Sequence, residues 1–141
     1  MSRVFWDTML LIYLLEGDAA FRKRADELLA RSLRRRDALF TSYLALGEVL
    51  AGVEKSKKPK VADVVQDTLS EMGFSFLPFS EGAVTPFSKL RAHTKLKAPD
   101  AIHLACAAAA GIDLYLTGDT ELFKLDVPGI QFIADFNSSV L

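Results

Sequence analysis

The chain has 141 residues, half of them hydrophobic and a quarter charged, with a formal net charge of −1. These numbers describe one globular domain, residues 1–141, with enough apolar mass for a core. They exclude a disordered chain and a polycation that would bind nucleic acid through overall charge alone.

The near-neutral sum conceals an uneven distribution. Most basic residues fall between Arg22 and Lys60, whereas Lys124 is the only one after Asp100. One side of the molecule should therefore be basic and another acidic. The single cysteine, Cys106, forbids an intrachain disulfide. In its alanine-rich setting it reads as a small buried residue, compatible with a reducing cytoplasm. No apolar run reaches the length of a membrane span. Asp7 interrupts the N-terminal apolar run, and no small-residue cleavage site closes it, which argues against a signal peptide.

The chain opens with Val4-Phe5-Trp6, then Asp7-Thr8, then a second apolar run from Met9 to Leu15. The natural parse is strand, polar turn, helix. Asp7 falls where a buried parallel strand ends and the next helix begins, the edge at which open α/β sheets place their ligands. Two readings of Asp7 stay open at this point. It is an N-cap, or it is a carboxylate whose burial needs a partner.

Asp18 to Arg36 reads as a helix burying Phe21, Ala25, Leu28, Leu29 and Leu33. Arg22-Lys23-Arg24 and Arg34-Arg35-Arg36 line a solvated face or contact phosphates. A short strand then ends in Thr41-Ser42. Ser42 caps a helix from Tyr43 to about Lys55, with Leu46, Val49, Leu50 and Val53 on its apolar stripe. Glu48 lies beside that stripe, and Ala45, Ala51 and Gly52 around it leave room for something to approach. Glu54 to Lys60 is predicted as a flexible basic loop. Val61 to Met72 follows as a helix burying Val61, Val64, Val65, Leu69 and Met72, stopped by Gly73.

Phe74 to Phe79 is a strand that leaves the sheet at Pro78. The next helix, Glu81 to about Arg91, is expected to hold Pro86 in its first turn. A basic loop, Ala92 to Ala98, carries His93, Lys95 and Lys97. Pro99 opens a helix to Ala110, with Asp100 in the first turn, where the helix dipole favours a carboxylate. Asp113 to Thr117 is a strand running into a polar turn, and Asp119 stands just past its end, as Asp7 does after the first strand. A last strand covers Ile130 to Ile133. This alternation implies a parallel sheet covered by helices on both faces.

Asp7, Glu48, Asp100 and Asp119 can meet at one edge of such a sheet. Four neighbouring carboxylates repel one another unless a cation resolves the repulsion. All-oxygen ligands favour magnesium or manganese; zinc would want histidine or cysteine. His103, one turn after Asp100, either supports a ligand through a hydrogen bond or is a structural histidine. An acidic metal site beside basic loops points to a phosphodiester substrate, with a metal-activated water as nucleophile. Arg91, Lys95 and Lys97 would hold flanking phosphates without reading bases. A phosphatase using Asp7 as nucleophile needs a second aspartate two residues on, where Met9 stands. A dinucleotide fold lacks its glycine fingerprint here. The remaining alternative is a non-catalytic module that binds RNA or protein.

Four stretches together resemble the motifs of PIN-domain ribonucleases, particularly VapC-type toxins. They are Val4-Phe5-Trp6-Asp7-Thr8 with Leu10 to Gly17, Thr41-Ser42 with Glu48-Val49-Leu50-Ala51-Gly52, Pro99 to Ala105, and Leu116-Thr117-Gly118-Asp119 with Leu122-Phe123. They occur in family order across nearly the whole chain. The resemblance implies a five-stranded α/β/α sandwich and a Mg2+- or Mn2+-dependent endoribonuclease acting on an RNA such as tRNA or rRNA. It makes Asp7, Glu48, Asp100 and Asp119 the metal-binding acids. Thr8 and Thr117, with Ser42 and His103, become supporting residues. A homodimer and a cognate antitoxin are implied as partners; the antitoxin contacts stay unassigned, with apolar residues on the helices around Tyr43 and Leu29 as candidates. Two positions differ from the pattern: Met9 stands where many members carry a polar residue, and Gly118 replaces a frequent Asn.

Overall fold

Val4 and Trp6 face one side of a sheet, Phe5 faces the other, and all three are fully buried. That is the period-two alternation of a strand covered on both faces. They belong to β1 (Arg3–Trp6), the central strand. The others are β2 (Ala38–Ser42), β3 (Phe74–Leu77), β4 (Ile112–Thr117) and β5 (Ile130–Asp135). The helices are α1 (Thr8–Glu16), α2 (Ala19–Arg35), α3 (Tyr43–Lys55), α4 (Lys60–Glu71), α5 (Glu81–His93) and α6 (Ala98–Ala110). The computed structural model describes residues 1–56, 60–139 and 141, and of Lys60 and Val61 only the backbone. The lysine-rich stretch around Pro59 and the predicted burial of Val61 thus lie outside the described residues.

The strands pair in parallel in the order β3-β2-β1-β4-β5. One layer packs Leu10, Leu11, Leu28, Leu46, Val49 and Leu69 of α1 to α4 on Val4 and Trp6. The opposite layer packs Leu90 of α5 and Ala101, Leu104 and Ala107 of α6 on Phe5 and Tyr115. The result is a three-layer α/β/α sandwich. Each fully buried leucine in these layers stabilises the fold by about 1.5–3 kcal/mol. Alanines on α6 let it lie close to the sheet. The Phe5 and Tyr115 rings stack beneath it with centroids 4.7 Å apart. Close approach is also demanded at Gly129, which adopts φ +100° and has no room for a Cβ against the Ala108 carbonyl.

Several boundaries differ from the sequence expectation. The segment from Glu54 is not yet loop, because α3 continues through Lys55, and Lys60 already begins α4. Val64 is 58% exposed and Leu33 is 58% exposed. Val65, Leu69, Ala25 and Leu28 are buried as expected and Ser32 joins them, whereas Phe21 is also exposed. Periodicity locates such a stripe only to within one residue at its edges. Pro86 lies inside α5 rather than in its first turn. Ser80, extended and at the cap position, starts the helix a full turn before the proline. Strand β5 runs on to Asp135 because its last residues pair with Leu116 and Thr117.

The residues after β5 turn back over α2. Arg24 Nε donates to the Phe136 carbonyl at 2.8 Å and its Nη2 to the Ser138 carbonyl at 2.6 Å. Arg31 Nη1 donates to Leu141 O at 3.0 Å. These two arginines hold the chain's own tail and are not surplus cations waiting for phosphates. Their bonds also fix Phe136 against Tyr13 and Phe21.

Candidate active site

The chain leaves β1 for β2 and β3 on one side, then returns to lay β4 against the other side of β1. Connections leaving the carboxyl ends of β1 and β4 therefore diverge, and a crevice opens at this switch point. A cleft of about 490 Å³ lies there. Asp7, Thr8, Glu48, Asp100, His103 and Asp119 all line it. Four acids drawn from four separate parts of the chain thus share one opening.

Asp7 satisfies both readings of the sequence. It is the N-cap of α1, its Oδ1 accepting from the Leu10 amide at 3.3 Å. Its Oδ2 accepts a short hydrogen bond from Thr117 Oγ1. Burial pushes the Asp7 carboxyl above the usual carboxylate range, and the bonds from Thr117 and Leu10 oppose that rise without cancelling it. Thr117 Oγ1 accepts in turn from the Asp119 amide at 3.1 Å. One buried hydroxyl at the end of β4 therefore orients the acids on both sides of the switch point. Asp119 caps the short 3-10 turn Thr120–Leu122 through a 3.0 Å bond from the Glu121 amide.

Glu48 reaches the cleft from α3. Its Oε1 accepts from Thr8 Oγ1 at 2.8 Å and lies 2.8 Å from His103 Nε2. None of the small residues thought to make room for it lines the cleft. Ala45 is buried, and Ala51 and Gly52 are exposed. The opening is made by the gap between α1, α3 and α6. Asp100 sits in the first turn of α6. Its carboxyl is raised by burial first and by the Asp119 charge second, with His103 and Lys97 pulling the other way. His103 is 5% exposed, and its Nδ1 lies 2.7 Å from Ser42 Oγ. Ser42 also caps α3, accepting from the Ala45 amide at 2.9 Å.

Three cations expected near the site lie beside it. Lys97 precedes α6 and is near enough to Asp100 to act on its charge. Lys95 is exposed on the same loop, and Arg91 Nη1 closes that loop on the Leu96 carbonyl at 2.9 Å. None of the three lines the cleft. Sequence reasoning missed the aromatic part of the wall, Tyr13 and Tyr115. Tyr13 was detectable in principle, lying one helical turn beyond Met9 on the helix that follows Asp7. Tyr115 is buried, and burial and the nearby Asp7 charge hold its phenol well above its ordinary value.

A parallel α/β/α sandwich with an acid-lined crevice at its β1/β4 switch point is the class of protein these features define. More particularly, the chain belongs to the PIN domain family, which it matches over residues 4–128. Among solved structures it resembles VapBC2 from Rickettsia felis, bound to a DNA fragment from its promoter. That match has 17% identity and a TM-score of 0.71, and covers 94% of this chain and 97% of that one. DNA-bound VapBC from Salmonella typhimurium matches with 21% identity and a TM-score of 0.69, over 96% and 99% of the two chains. A toxin–antitoxin complex from Klebsiella pneumoniae matches with 25% identity and a TM-score of 0.62, over 90% and 94%. No curated protein sequence matches this chain.

PIN-domain nucleases generally use divalent metal ions. The donors lining this cleft are carboxylate oxygens, which suit a hard cation. Burial is the first cause of the raised Asp100 carboxyl, and the Asp119 and Glu48 charges add to it, a crowding that a cation would relieve. Among the described residues no three His, Cys, Asp or Glu side chains are gathered closely enough to form a metal site as they stand.

Proposed function

We propose that this chain is a divalent-metal-dependent endoribonuclease and the toxin of a toxin–antitoxin pair. The observation that carries the reading is the shared cleft of Asp7, Glu48, Asp100 and Asp119 at the β1/β4 switch point. A non-catalytic scaffold has no need to gather mutually repelling carboxylates.

In this reading the four acids hold Mg2+ or Mn2+. The chemistry such an ion supplies is a more acidic water and neutralisation of charge on the phosphodiester. The chain's own residues do the remaining work. Thr117 fixes the Asp7 carboxylate and Thr8 fixes that of Glu48. Tyr115, held protonated by its burial, can donate a hydrogen bond into the cleft and cannot act as a base at neutral pH. Lys95 and Lys97 hold phosphates flanking the scissile one, with Arg91 stiffening their loop. Because phosphate contacts position a strand without reading it, choice among RNAs such as tRNA or rRNA must come from RNA shape.

The solved complexes that this fold resembles are named as toxin–antitoxin assemblies, which supports a cognate antitoxin as partner. Exposed Tyr43 and half-buried Leu29 offer apolar surface to it. A homodimer and a cytoplasmic location belong to the same reading. No helix among the described residues is long and apolar enough to cross a membrane. The test is cleavage of a panel of structured RNAs by the purified protein, verified free of antitoxin, with Mg2+ or with chelator. Wild type should cut only with metal, and Asp7→Asn should not cut at all. A folded wild-type protein inert on the whole panel would favour the binding module instead.

A further inference from the structure

Ser42, His103 and Glu48 come from β2, α6 and α3, yet they form one continuous hydrogen-bonded line into the cleft. Its two ends fix its direction. The Ala45 amide can only donate, and it donates to Ser42 Oγ at 2.9 Å. An ionised Glu48 carboxylate can only accept. Between them Ser42 Oγ lies 2.7 Å from His103 Nδ1, and His103 Nε2 lies 2.8 Å from Glu48 Oε1. Only one arrangement gives every hydrogen an acceptor. The Ser42 hydroxyl donates to Nδ1, and Nε2–H donates to Glu48. The opposite tautomer would set the Nδ1 hydrogen against the serine and leave a bare Nε2 lone pair facing a carboxylate. The 3.4 Å approach of Thr8 Oγ1 to Nε2 is then a contact and not a bond, because the threonine hydrogen goes to Glu48 at 2.8 Å.

Both donors to Glu48, Thr8 and His103, converge on the same oxygen, Oε1. No protein donor among the described residues reaches Oε2, although the Glu48 side chain is 39% exposed. Two bonds on one oxygen hold the carboxylate plane and leave the other oxygen for a ligand in the cleft. Ser42 is fully buried and His103 nearly so, which makes the support stiff.

We infer that His103, held as the Nε2–H tautomer by Ser42, is a positioning residue that pins Glu48 through Oε1 and presents Oε2 to a divalent cation. The inference rests on the metal reading of the cleft. The relay acts through the carboxylate and supplies no ligand of its own to the ion. Partners that orient a ligating side chain in this way change metal affinity by about 10–100-fold when removed.

The test uses the full-length, metal-free protein with 15N-labelled histidine. Long-range 1H–15N spectra at pH 7 should show His103 with a bare Nδ1 and a protonated Nε2, and the exposed His93 serves as an internal reference. Mn2+ alone is then titrated and the free ion followed by electron paramagnetic resonance. His103→Ala, checked as folded by circular dichroism, should bind Mn2+ at least about tenfold more weakly. His103→Gln places an amide donor near the former Nε2 and should recover much of the affinity. Ser42→Ala should weaken binding less and release the tautomer. A protonated Nδ1 in wild type overturns the inference. So does wild-type Mn2+ affinity in folded His103→Ala. Failure of wild type itself to bind Mn2+ overturns the metal reading, and the inference with it. That outcome is distinct from Mn2+ binding that ignores His103.

Discussion

A Cβ placed on Gly118 would stand 3.2 Å from Cε1 of the Phe136 ring. Gly118 lines the cleft between Thr117 and Asp119, and Phe136 is buried behind it against Tyr13 and Phe21. The ring has little freedom to retreat, because Arg24 holds the Phe136 carbonyl at 2.8 Å. An aromatic ring from the tail thus occupies the space that a side chain at position 118 would need. Gly118→Ala should destabilise the protein by about 1 kcal/mol through overpacking. The loss should shrink in a Phe136→Leu background, since contacting residues couple. Urea unfolding of the four members of this cycle measures it. Equal costs in both backgrounds would mean that the ring does not constrain Gly118.

The raised carboxyl of Asp7 has a consequence for stability against pH. An acid whose folded value exceeds its unfolded one stabilises the fold while protonated. That contribution is complete below the unfolded value of about 4 and is lost as pH rises through the folded value. Asp100 acts in the same direction. Asp7→Asn cannot ionise, so in chelator it should be more stable than wild type at pH 7. Its advantage should narrow as pH falls toward 4. Thermal melts of the two proteins across this window decide the point. An advantage that widens on acidification would show that the Asp7 carboxylate is stabilised in the fold.

Local chemistry made much of this fold legible. The helix Tyr43–Lys55 was bounded correctly because Ser42 is a good cap and the stripe Leu46, Val49 is periodic. Asp7 and Asp119 could be placed at one sheet edge because each follows an apolar strand. Glu48 follows no strand; it was singled out by its place beside the apolar stripe of its helix and by its small neighbours, and the resemblance then added to that. Other features depend on residues far apart in the chain. Nothing near Ser42 announces a bond to His103, and nothing in α2 says that Arg24 will hold Phe136 while Leu33 stays exposed. Pro86 was misplaced because a proline-tolerant first turn is a statistical preference, and α5 starts where Ser80 allows.

Carboxylate crowding predicts that metal stabilises the fold. An ion bound only by the native state raises stability by RT ln(1 + [L]/Kd), about 2.7 kcal/mol at a hundredfold excess over Kd. Millimolar Mg2+ should therefore raise the melting temperature of wild type. Asp7→Asn and Asp119→Asn should each blunt the rise, because both residues line the cleft and share Thr117 as a partner. Scanning calorimetry at several Mg2+ concentrations tests this. An increase of equal size in all three proteins would assign the ion to another part of the surface.

The loop between α5 and α6 separates two kinds of basic residue. Lys95 and Lys97 are exposed, and neither makes a hydrogen bond through its side chain among the described residues. Arg91 ties the loop to itself through the Leu96 carbonyl. Removing both lysines should weaken RNA binding uniformly across sequences. For single-stranded RNA it should also flatten the plot of log affinity against log salt by about 1.4, or about 0.7 for each phosphate that a lysine no longer neutralises. Arg91→Ala should instead loosen the loop, with a smaller change in slope for a comparable loss of affinity. The measurement is fluorescence anisotropy of the chelated protein with a labelled RNA over a range of KCl. An unchanged slope in the double lysine variant would mean that the strand enters the cleft from another side.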